Sequence, residues 1–301
     1  MRVLVTGWPS FVNGEATAGD VLAMEAVRQA LSDAGVPCDL AWSPVFRPGG
    51  MSLAEADPHR YTHLVFACGP VMGEPVRQLH QRYAHCRRVA VGVSVIDPHD
   101  PAVLGFDEVL ARDGGGLEPR LDLAAEVPVP DVPVVGVVLA PGQPEYGSRR
   151  RHEQVEEELT GWLNARDCAR VPIDTRLDPY GWRNAGTAAQ VEALIRRLDL
   201  VVTTRLHGLV LALKNGVPAL AVDPVEGGAK VEAQARAWGW PAVVTARSGK
   251  PVLDPAALER QWEWCLAGRA AAAAWDLRPD TKPLLTDDLL DLLDLREDQA
   301  G

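Results

Sequence analysis

The sequence predicts an α/β protein with two Rossmann-like domains that face a cleft and contain mostly parallel sheets. Short apolar segments alternate along the chain with stretches of helical periodicity. The apolar segments are continuous, which is typical of parallel strands covered by helices on both faces. A stretch rich in proline and glycine, 97–132, interrupts this alternation before it starts again. Two successive α/β units joined by a linker follow from these three observations.

The first alternating set begins with the strand RVLVTG over 2–7. The helix after it has apolar residues such as Leu22, Met24 and Val27 at helical spacing and ends at Gly35. The predicted elements of this set are a strand over 2–7, a helix over 19–35, a strand over 63–68, a helix over 75–85 and a strand over 89–95.

The second set contains more elements, and the chain ends in a stretch, 254–295, that we expect to be helical. We place the boundary between the sets near 125–133. This gives an N-terminal domain over 1–130, a C-terminal domain over 131–270 and a helical tail over 271–301. The predicted strands of the second set are 134–139, 170–173, 200–204, 219–222 and 242–245, and its helices are 150–165, 188–198, 206–215 and 230–238.

Composition excludes several classes of protein. The 301 residues include 30 Lys and Arg against 41 Asp and Glu, a net charge of -11, which argues against a nucleic-acid partner. No uncharged apolar run approaches the ~20 residues of a membrane span, and the N-terminus lacks a signal-peptide core. The five cysteines are scattered without metal-ligand spacing, so we expect reduced thiols, no metal site and a cytoplasmic location.

The most informative segment is 199–223, DLVVTTRLHGLVLALKNGVPALAVD. Its predicted strand ends at Thr204, and Arg205, His207 and Gly208 open an apolar helix. The free N–H groups of a helix start and a guanidinium both favour a bound phosphate or carboxylate. A histidine there can exchange a proton near neutral pH. The competing interpretation is that Arg205 makes a structural ion pair and that His207 is a buried, hydrogen-bonded histidine.

This segment resembles the signature of the polysaccharide pyruvyl transferase family, a strand, S/T-x-R-L-H-G/A, an apolar helix, G-x-P and a short strand. Further marks agree in order over about 1–245: Gly19-Asp20 at a helix start, a D-x-V-x-x-R-D segment that contains Arg112, and Lys230-Val231 at the head of a later helix. The sequence departs from the family where a triple glycine is reduced to Cys68-Gly69-Pro70, in the early loop 9–18, and in VEGGA before Lys230.

The resemblance implies a GT-B-like architecture and transfer of the pyruvyl group of phosphoenolpyruvate to two hydroxyls of a sugar or glycan. The products are a pyruvate ketal and phosphate, no cofactor is needed, and the role lies in cell-surface glycan biosynthesis. It implies that Arg205 binds the donor phosphate or carboxylate, and that His207 is the acid/base or stabilises the departing phosphate. Thr204, Gly208 and Lys230 extend this donor site.

The N-terminal domain is the expected acceptor side, where Arg112 is a further anion-binding candidate and Asp20 orients a hydroxyl. Trp8 and Trp182 lie in loops where a ring can stack on a sugar. Three of the candidate site residues have an ordinary structural explanation. Arg112 bridges a domain edge, Asp20 is a favourable acid in a first helical turn, and Lys230 is a solvated lysine. His99 is more simply a turn residue.

Two other functions stay open. A GT-B glycosyltransferase that uses a nucleotide sugar would employ the same cleft and the same phosphate site at a helix N-terminus. A non-catalytic, anion-binding homologue would keep the fold without the reaction. Loss of turnover in a folded His207→Ala variant separates the enzymes from the non-catalytic protein.

Overall fold

The protein consists of two α/β units, each with a sheet of five strands. The computed structural model describes residues 1–116, 118–277 and 285–293. The first unit is Met1–Pro130, and the second begins at Asp131. All pairings between neighbouring strands of the two sheets are parallel. The predicted α/β class with two parallel sheets is therefore confirmed.

The first unit has its strands in the order β2-β1-β3-β4-β5. These strands are β1 (Val3–Thr6), β2 (Cys38–Leu40), β3 (His63–Ala67), β4 (Arg87–Val95) and β5 (Glu108–Gly114), and the helices are α1 (Ala18–Asp33), α2 (Gly73–Arg82) and α3 (Pro101–Leu104).

Both faces of the first sheet are covered, which explains why its strands are continuously apolar. Val3 and Val5 pack with Met24 of α1 on one face. Leu4 packs with Phe66 in a separate core cluster on the other face. Because successive residues of a strand point to opposite faces, a strand between two layers needs an apolar side chain at each position.

The second unit has its strands in the order β10-β9-β8-β6-β7. Its strands are β6 (Val134–Val138), β7 (Ala169–Pro172), β8 (Leu200–Thr203), β9 (Ala219–Asp223) and β10 (Val243–Thr245). Its helices are α4 (His152–Asn164), α5 (Ala188–Ile195), α6 (Leu206–Lys214), α7 (Lys230–Trp238), α8 (Pro255–Leu266), α9 (Gly268–Asp276) and α10 (Leu285–Leu292).

The predicted helical tail over 271–301 lies partly outside the described residues, which omit 278–284 and 294–301. Within the described part, the end of α9 and the whole of α10 are helical. None of the described helices combines the length and the hydropathy that crossing a bilayer requires.

Strands β2 and β5 were not predicted from the sequence, and both lie at the edges of the first sheet. β2 has only three residues, and none of them is fully buried. In β5 only Ala111 is buried, and the charged residues Glu108, Arg112 and Asp113 interrupt the apolar signal. An edge strand that is covered on fewer sides does not need the continuous apolar pattern of a central strand.

The order of the strands defines one crevice in each sheet. In the second unit the chain leaves β6 towards β7 and leaves β8 towards β9, in opposite directions. In the first unit it leaves β1 and β3 in opposite directions. Ligands of open α/β sheets bind beyond the carboxyl ends of the strands where the direction reverses. These crevices lie between the loops that follow β6 and β8, and between those that follow β1 and β3.

Candidate functional site

The turn from β8 to α6 lies at the crevice of the second sheet and is fixed by two threonines. Thr203 Oγ1 donates to Val138 O and accepts from the backbone N–H of Arg205 at 2.9 Å. Thr204 Oγ1 accepts from the backbone N–H of Ala140 at 2.8 Å. Both threonines are buried. The hydroxyl of Thr204 therefore ties the loop after β6 to the turn that carries Arg205.

Gly208 brings α6 into contact with the end of β8. A Cβ atom at this position would lie 2.2 Å from Thr203 Oγ1 and 3.1 Å from Val138 Cγ1. Real Cβ atoms do not approach other atoms as closely as the first of these distances, so the helix would have to move away from the strand. The glycine of RLHG thus has a packing role that sequence reasoning did not identify.

Gly208→Ala is expected to destabilise the protein by about 1–3 kcal/mol, the usual cost of overpacking a core. Gly161→Ala on helix α4 is the matched control, because a Cβ atom at this position would meet no atom within 4 Å. That change is expected to stabilise by up to about 1 kcal/mol through helix propensity. Urea unfolding of the two variants measures both effects, and equal stabilities would contradict the packing role.

Arg205 is the N-cap residue of α6, and its side chain reaches the carboxyl end of β7. Arg205 Nη1 donates to Asp174 Oδ1 at 3.2 Å, and both side chains are 23% exposed. Asp174 also accepts from Arg176 Nη2 at 2.6 Å. Hydrogen bonds from Arg176, and the charge of Arg205, lower the pKa of Asp174. Two guanidinium groups thus share one carboxylate, which leaves an excess of positive charge.

The N-terminus of α6 is open to a ligand. No side chain caps its first turn, so the N–H groups of that turn have no partner from a capping residue. His207 is the second residue of the helix and is exposed. Within the described residues, its imidazole makes no hydrogen bond or ion pair. An exposed imidazole beside free helix N–H groups and a guanidinium is arranged for anion binding with proton transfer.

The N-terminus of the neighbouring helix, α7, is already occupied by a carboxylate. Asp223 is fully buried at the end of β9 and accepts from the backbone N–H groups of Val225, Ala229 and Glu232 at 2.8–3.0 Å. A buried carboxylate is stable here because several N–H groups and the helix dipole compensate its charge. Asp223 belongs to the RLHG segment, but its capping role was not predicted from the sequence.

Lys230 opens α7 and faces the loop that follows β6. Its Nζ lies 4.0 Å from Glu145 Oε1 and 5.8 Å from the ring centroid of Tyr146. The side chain is 38% exposed. With α7 capped by Asp223, the cation of Lys230 rather than the helix N-terminus is available to a ligand at this position.

His152 is a buried histidine at the start of α4 that sequence reasoning did not single out. It is 3% exposed, and its Nε2 lies 3.2 Å from Gln143 Oε1. Its Nδ1 is buried without a hydrogen-bond partner. Burial is the main cause that lowers the pKa of His152, and the positive charges of Arg150 and Lys230 lower it further.

His152 is expected to make stability depend on pH. Below about pH 6.5 the unfolded chain protonates this histidine while the native state resists protonation, so stability falls as the pH falls. His152→Gln removes this contribution, up to about 1.4 kcal/mol per pH unit. Urea unfolding of both proteins between about pH 7 and 5 measures the difference in slope. Identical slopes would show that His152 is protonated equally in both states.

The crevice of the first unit contains Asp20. A cavity of about 360 Å³ lies there, lined by Trp8, Asn13, Glu15, Asp20, Gly69, Pro70, Met72 and Gly73. Trp8 Nε1 donates to Pro70 O at 3.0 Å, which fixes the indole at the cavity wall. Asp20 also forms a capping box with Thr17, whose Oγ1 donates to Asp20 Oδ2 at 2.6 Å. Asp20 thus combines its helix-capping role with a position in the cavity.

Cys68 directly follows strand β3, next to this cavity, and has an unfavourable backbone conformation. Its φ of 63° is the one positive value at a non-glycine residue in the part of the chain that the structure describes. Such conformations cost roughly 1–3 kcal/mol and concentrate at functional sites. Burial, with the negative charges of Asp122 and Asp20, raises the pKa of the Cys68 thiol. Cys68 and Gly69 both have positive φ values, so the turn after β3 lies in the left-handed region.

Arg112 lies on β5 and is fully engaged with protein groups. Its guanidinium donates to Asp113 at 2.7 Å, to Ser94 Oγ at 2.7 Å and to Asp122. The hydrogen bond with Asp113 is the main cause that raises the pKa of Arg112. Two carboxylates therefore already neutralise this cation. This arrangement agrees with the alternative in which Arg112 makes structural ion pairs and does not bind a ligand.

Trp182 and His99 are both exposed in loops. Trp182 is 89% exposed and lies in the loop between β7 and α5. His99 is exposed in the loop after β4, where its backbone N–H donates to Asp97. Over residues 1–116, 118–277 and 285–293, no group of three His, Cys, Asp or Glu side chains is arranged to hold a metal ion.

The structure adds Asp174 to the residues expected from sequence. A polar residue directly after a predicted strand marks the carboxyl edge of a parallel sheet, and this signal was present at 170–173. Its pairing with Arg205 was not visible, because 31 positions separate the two residues.

Comparison with known proteins identifies a family over one segment of the chain. The polysaccharide pyruvyl transferase model matches residues 154–224, from the first turn of α4 to the residue after β9. Thr204, Arg205, His207 and Gly208 lie within this segment, whereas Lys230 lies beyond it. No curated protein sequence matches the chain.

The chain also has distant likenesses to solved structures. It is 14% identical to the spinosyn forosaminyltransferase SpnP, covering 98% of this chain and 99% of that one with a TM-score of 0.33. A UDP-GlcNAc 2-epimerase from Methanocaldococcus jannaschii is 10% identical, with coverage of 90% and 94% and a TM-score of 0.31. The E. coli heptosyltransferase WaaC with ADP is 14% identical, with coverage of 88% and 99% and a TM-score of 0.29.

The match over 154–224 contains the complete turn from β8 to α6 that holds Arg205 and His207. The resemblance drawn from the RLHG segment is therefore confirmed, because residues 154–224 match the polysaccharide pyruvyl transferase family model.

Proposed function

We propose that the protein transfers the pyruvyl group of phosphoenolpyruvate to two hydroxyls of a sugar or glycan, forming a ketal and releasing phosphate. The observation that carries this proposal is the open turn at Arg205 and His207, which lies at the crevice of its sheet and inside the matched segment. A transferase of this family needs an anion site next to a proton donor, and this turn combines the two. A cytoplasmic location and a role in cell-surface glycan biosynthesis belong to the same proposal.

Arg205 holds the anionic donor. Its Nη1 bonds Asp174, and no other hydrogen bond of its guanidinium joins it to the described residues. The remaining N–H groups can bind a phosphate or carboxylate bidentately. The N–H groups of the first turn of α6 add the positive end of the helix dipole. Lys230 provides a second cation at the same edge of the sheet.

His207 supplies and recovers the proton. Its imidazolium protonates the methylene carbon of phosphoenolpyruvate, so the double-bond electrons form the new C–H bond and C2 becomes electrophilic. A sugar hydroxyl attacks C2 and its proton passes to the neutral imidazole. The C–O bond to phosphate then breaks with its electron pair on phosphate. The second hydroxyl attacks the resulting oxocarbenium carbon C2, and its proton passes to the departing phosphate, which completes the ketal.

The acceptor sugar binds in the cavity of the first unit. Trp8 offers an indole face that is fixed by its hydrogen bond to Pro70. Asn13, Glu15 and Asp20 line the same cavity with side chains that accept hydrogen bonds from hydroxyls. An aromatic wall with a few polar groups suits a ligand that has apolar ring faces and equatorial hydroxyls.

The test is to incubate the protein with phosphoenolpyruvate labelled with carbon-13 at C2 and a panel of oligosaccharide acceptors. The proposal expects a ketal carbon signal in the acceptor and an equal amount of phosphate. Titration calorimetry with phosphoenolpyruvate and with nucleotide sugars is run in parallel. Binding of a nucleotide sugar without phosphoenolpyruvate would identify a glycosyltransferase instead. Binding of phosphoenolpyruvate without ketal on any acceptor would favour the non-catalytic homologue.

A further inference from the structure

We infer that the second unit has a separate glycan subsite, in the loop between β7 and α5, that binds a carboxylate-bearing sugar of the acceptor chain. Residues 173–187 contain no helix or strand. With α5 and the residues that follow it, this loop surrounds a cavity of about 670 Å³. The identification of the glycan as the acceptor rests on the proposed function, but binding at this cavity can be measured without the reaction.

The loop is held in shape by its own hydrogen bonds. Asp178 Oδ1 accepts from the backbone N–H groups of Tyr180 at 3.0 Å and Gly181 at 2.9 Å. The Asp178 N–H donates to Ala185 O at 3.0 Å, which closes the loop. Gln190 of α5 accepts from the N–H of Gly186 at 2.7 Å. The cavity is thus formed before a ligand arrives, which lowers the entropic cost of binding.

Trp182 presents its ring to solvent at the wall of this cavity. The side chain is 89% exposed, although tryptophan is usually largely buried. The guanidinium carbon of Arg183 lies 5.3 Å from the ring centroid. This cation over the ring restricts the indole while part of its surface stays available. An exposed, restrained indole suits the apolar face of a sugar ring.

The charges of the cavity favour an anion. Arg183 and Arg197 line it, and Asp178 is the one acidic side chain among the lining residues. In the described part of the chain neither arginine pairs with a carboxylate, and Arg197 Nη1 donates only to Ala193 O. The whole chain carries a net charge of -11, so an anionic glycan is repelled elsewhere and needs local cations to bind.

The chemistry of the ligand follows from these two features together. Stacking on Trp182 requires a ring with an apolar face, and the two guanidinium groups require a carboxylate or a similar anion. A uronic acid meets both requirements, as does a sugar that already carries a pyruvate ketal. The loop also contains Asp174, which binds Arg205, so the subsite and the proposed donor site share one edge of the second sheet.

The test measures capture of the protein on an array of short uronic-acid and neutral oligosaccharides, without phosphoenolpyruvate. Wild type is expected to bind uronic-acid glycans, and Trp182→Ala to bind them about tenfold more weakly. Arg183→Gln is expected to lose the preference for acidic over neutral glycans. Tyr180→Ala is the matched control, because Tyr180 is 98% exposed in the same loop but does not line the cavity.

Two outcomes would overturn the subsite: no capture of the wild type by any glycan, or equal capture of the Trp182→Ala and Tyr180→Ala variants. Ketal formation on a monosaccharide acceptor separates the two proposals. Capture that depends on Trp182 in a protein that forms no ketal would retain the subsite and reject the proposed reaction.

Discussion

Replacing Arg205 with alanine is expected to lower the affinity for phosphoenolpyruvate by about 10²–10⁴-fold, the loss of two charge-assisted hydrogen bonds. The guanidinium has one carboxylate partner, Asp174, at 3.2 Å, and its other N–H groups are available to the donor. Arg205→Lys keeps the charge but cannot form two parallel bonds, so we expect an intermediate loss. Titration calorimetry with phosphoenolpyruvate measures the affinity of all three proteins.

Arg176→Ala is the matched control, since Arg176 binds the same carboxylate but its side chain is 67% exposed. We expect this variant to bind phosphoenolpyruvate within about threefold of wild type, because exposed ion pairs contribute little. Asp174 keeps one arginine in either variant, so neither leaves it unpaired. An equal loss of affinity in the two arginine variants would assign the effect to the Asp174 cluster rather than to contact with the donor.

The turn that carries Arg205 could be predicted because all its signals are local. A run of buried residues, Leu200–Thr203, is followed at once by an apolar helix, so the positions of Arg205 and His207 at a strand end follow from sequence spacing. The exposed position of His207 agrees with a role in binding, and the alternative of a buried histidine is wrong. For Arg112, in contrast, the structure agrees with the structural alternative, because its guanidinium lies between the carboxylates of Asp113 and Asp122.

Contacts between distant parts of the chain could not be predicted in this way. The bond between Arg205 and Asp174 depends on the order of the strands, which places β7 next to β6 and two positions from β8. The capping of α7 by Asp223 depends on a turn with two glycines of positive φ, Gly227 and Gly228. Neither feature leaves a periodic signal in the sequence, because each is set by three-dimensional packing.

His207→Ala is expected to lower kcat for ketal formation by about 10²–10⁴-fold, the usual contribution of a general acid/base. The affinity for phosphoenolpyruvate is expected to change much less, because Arg205 and the first turn of α6 remain. His207 is exposed and makes no hydrogen bond within the described residues, so its removal leaves no buried group unpaired. The free energy of unfolding should therefore change by less than about 0.5 kcal/mol.

Two measurements on the His207→Ala variant separate catalysis from binding. Steady-state kinetics on the carbon-13 assay give kcat, and calorimetry gives the donor affinity of the same preparation. His99→Ala is the matched control, an exposed histidine in the loop after β4 that should leave both values unchanged. A loss of affinity as large as the loss of kcat would make His207 an anion-binding residue. An unchanged kcat would require the proton to come from another group, and the exposed turn of α6 would then only hold the donor.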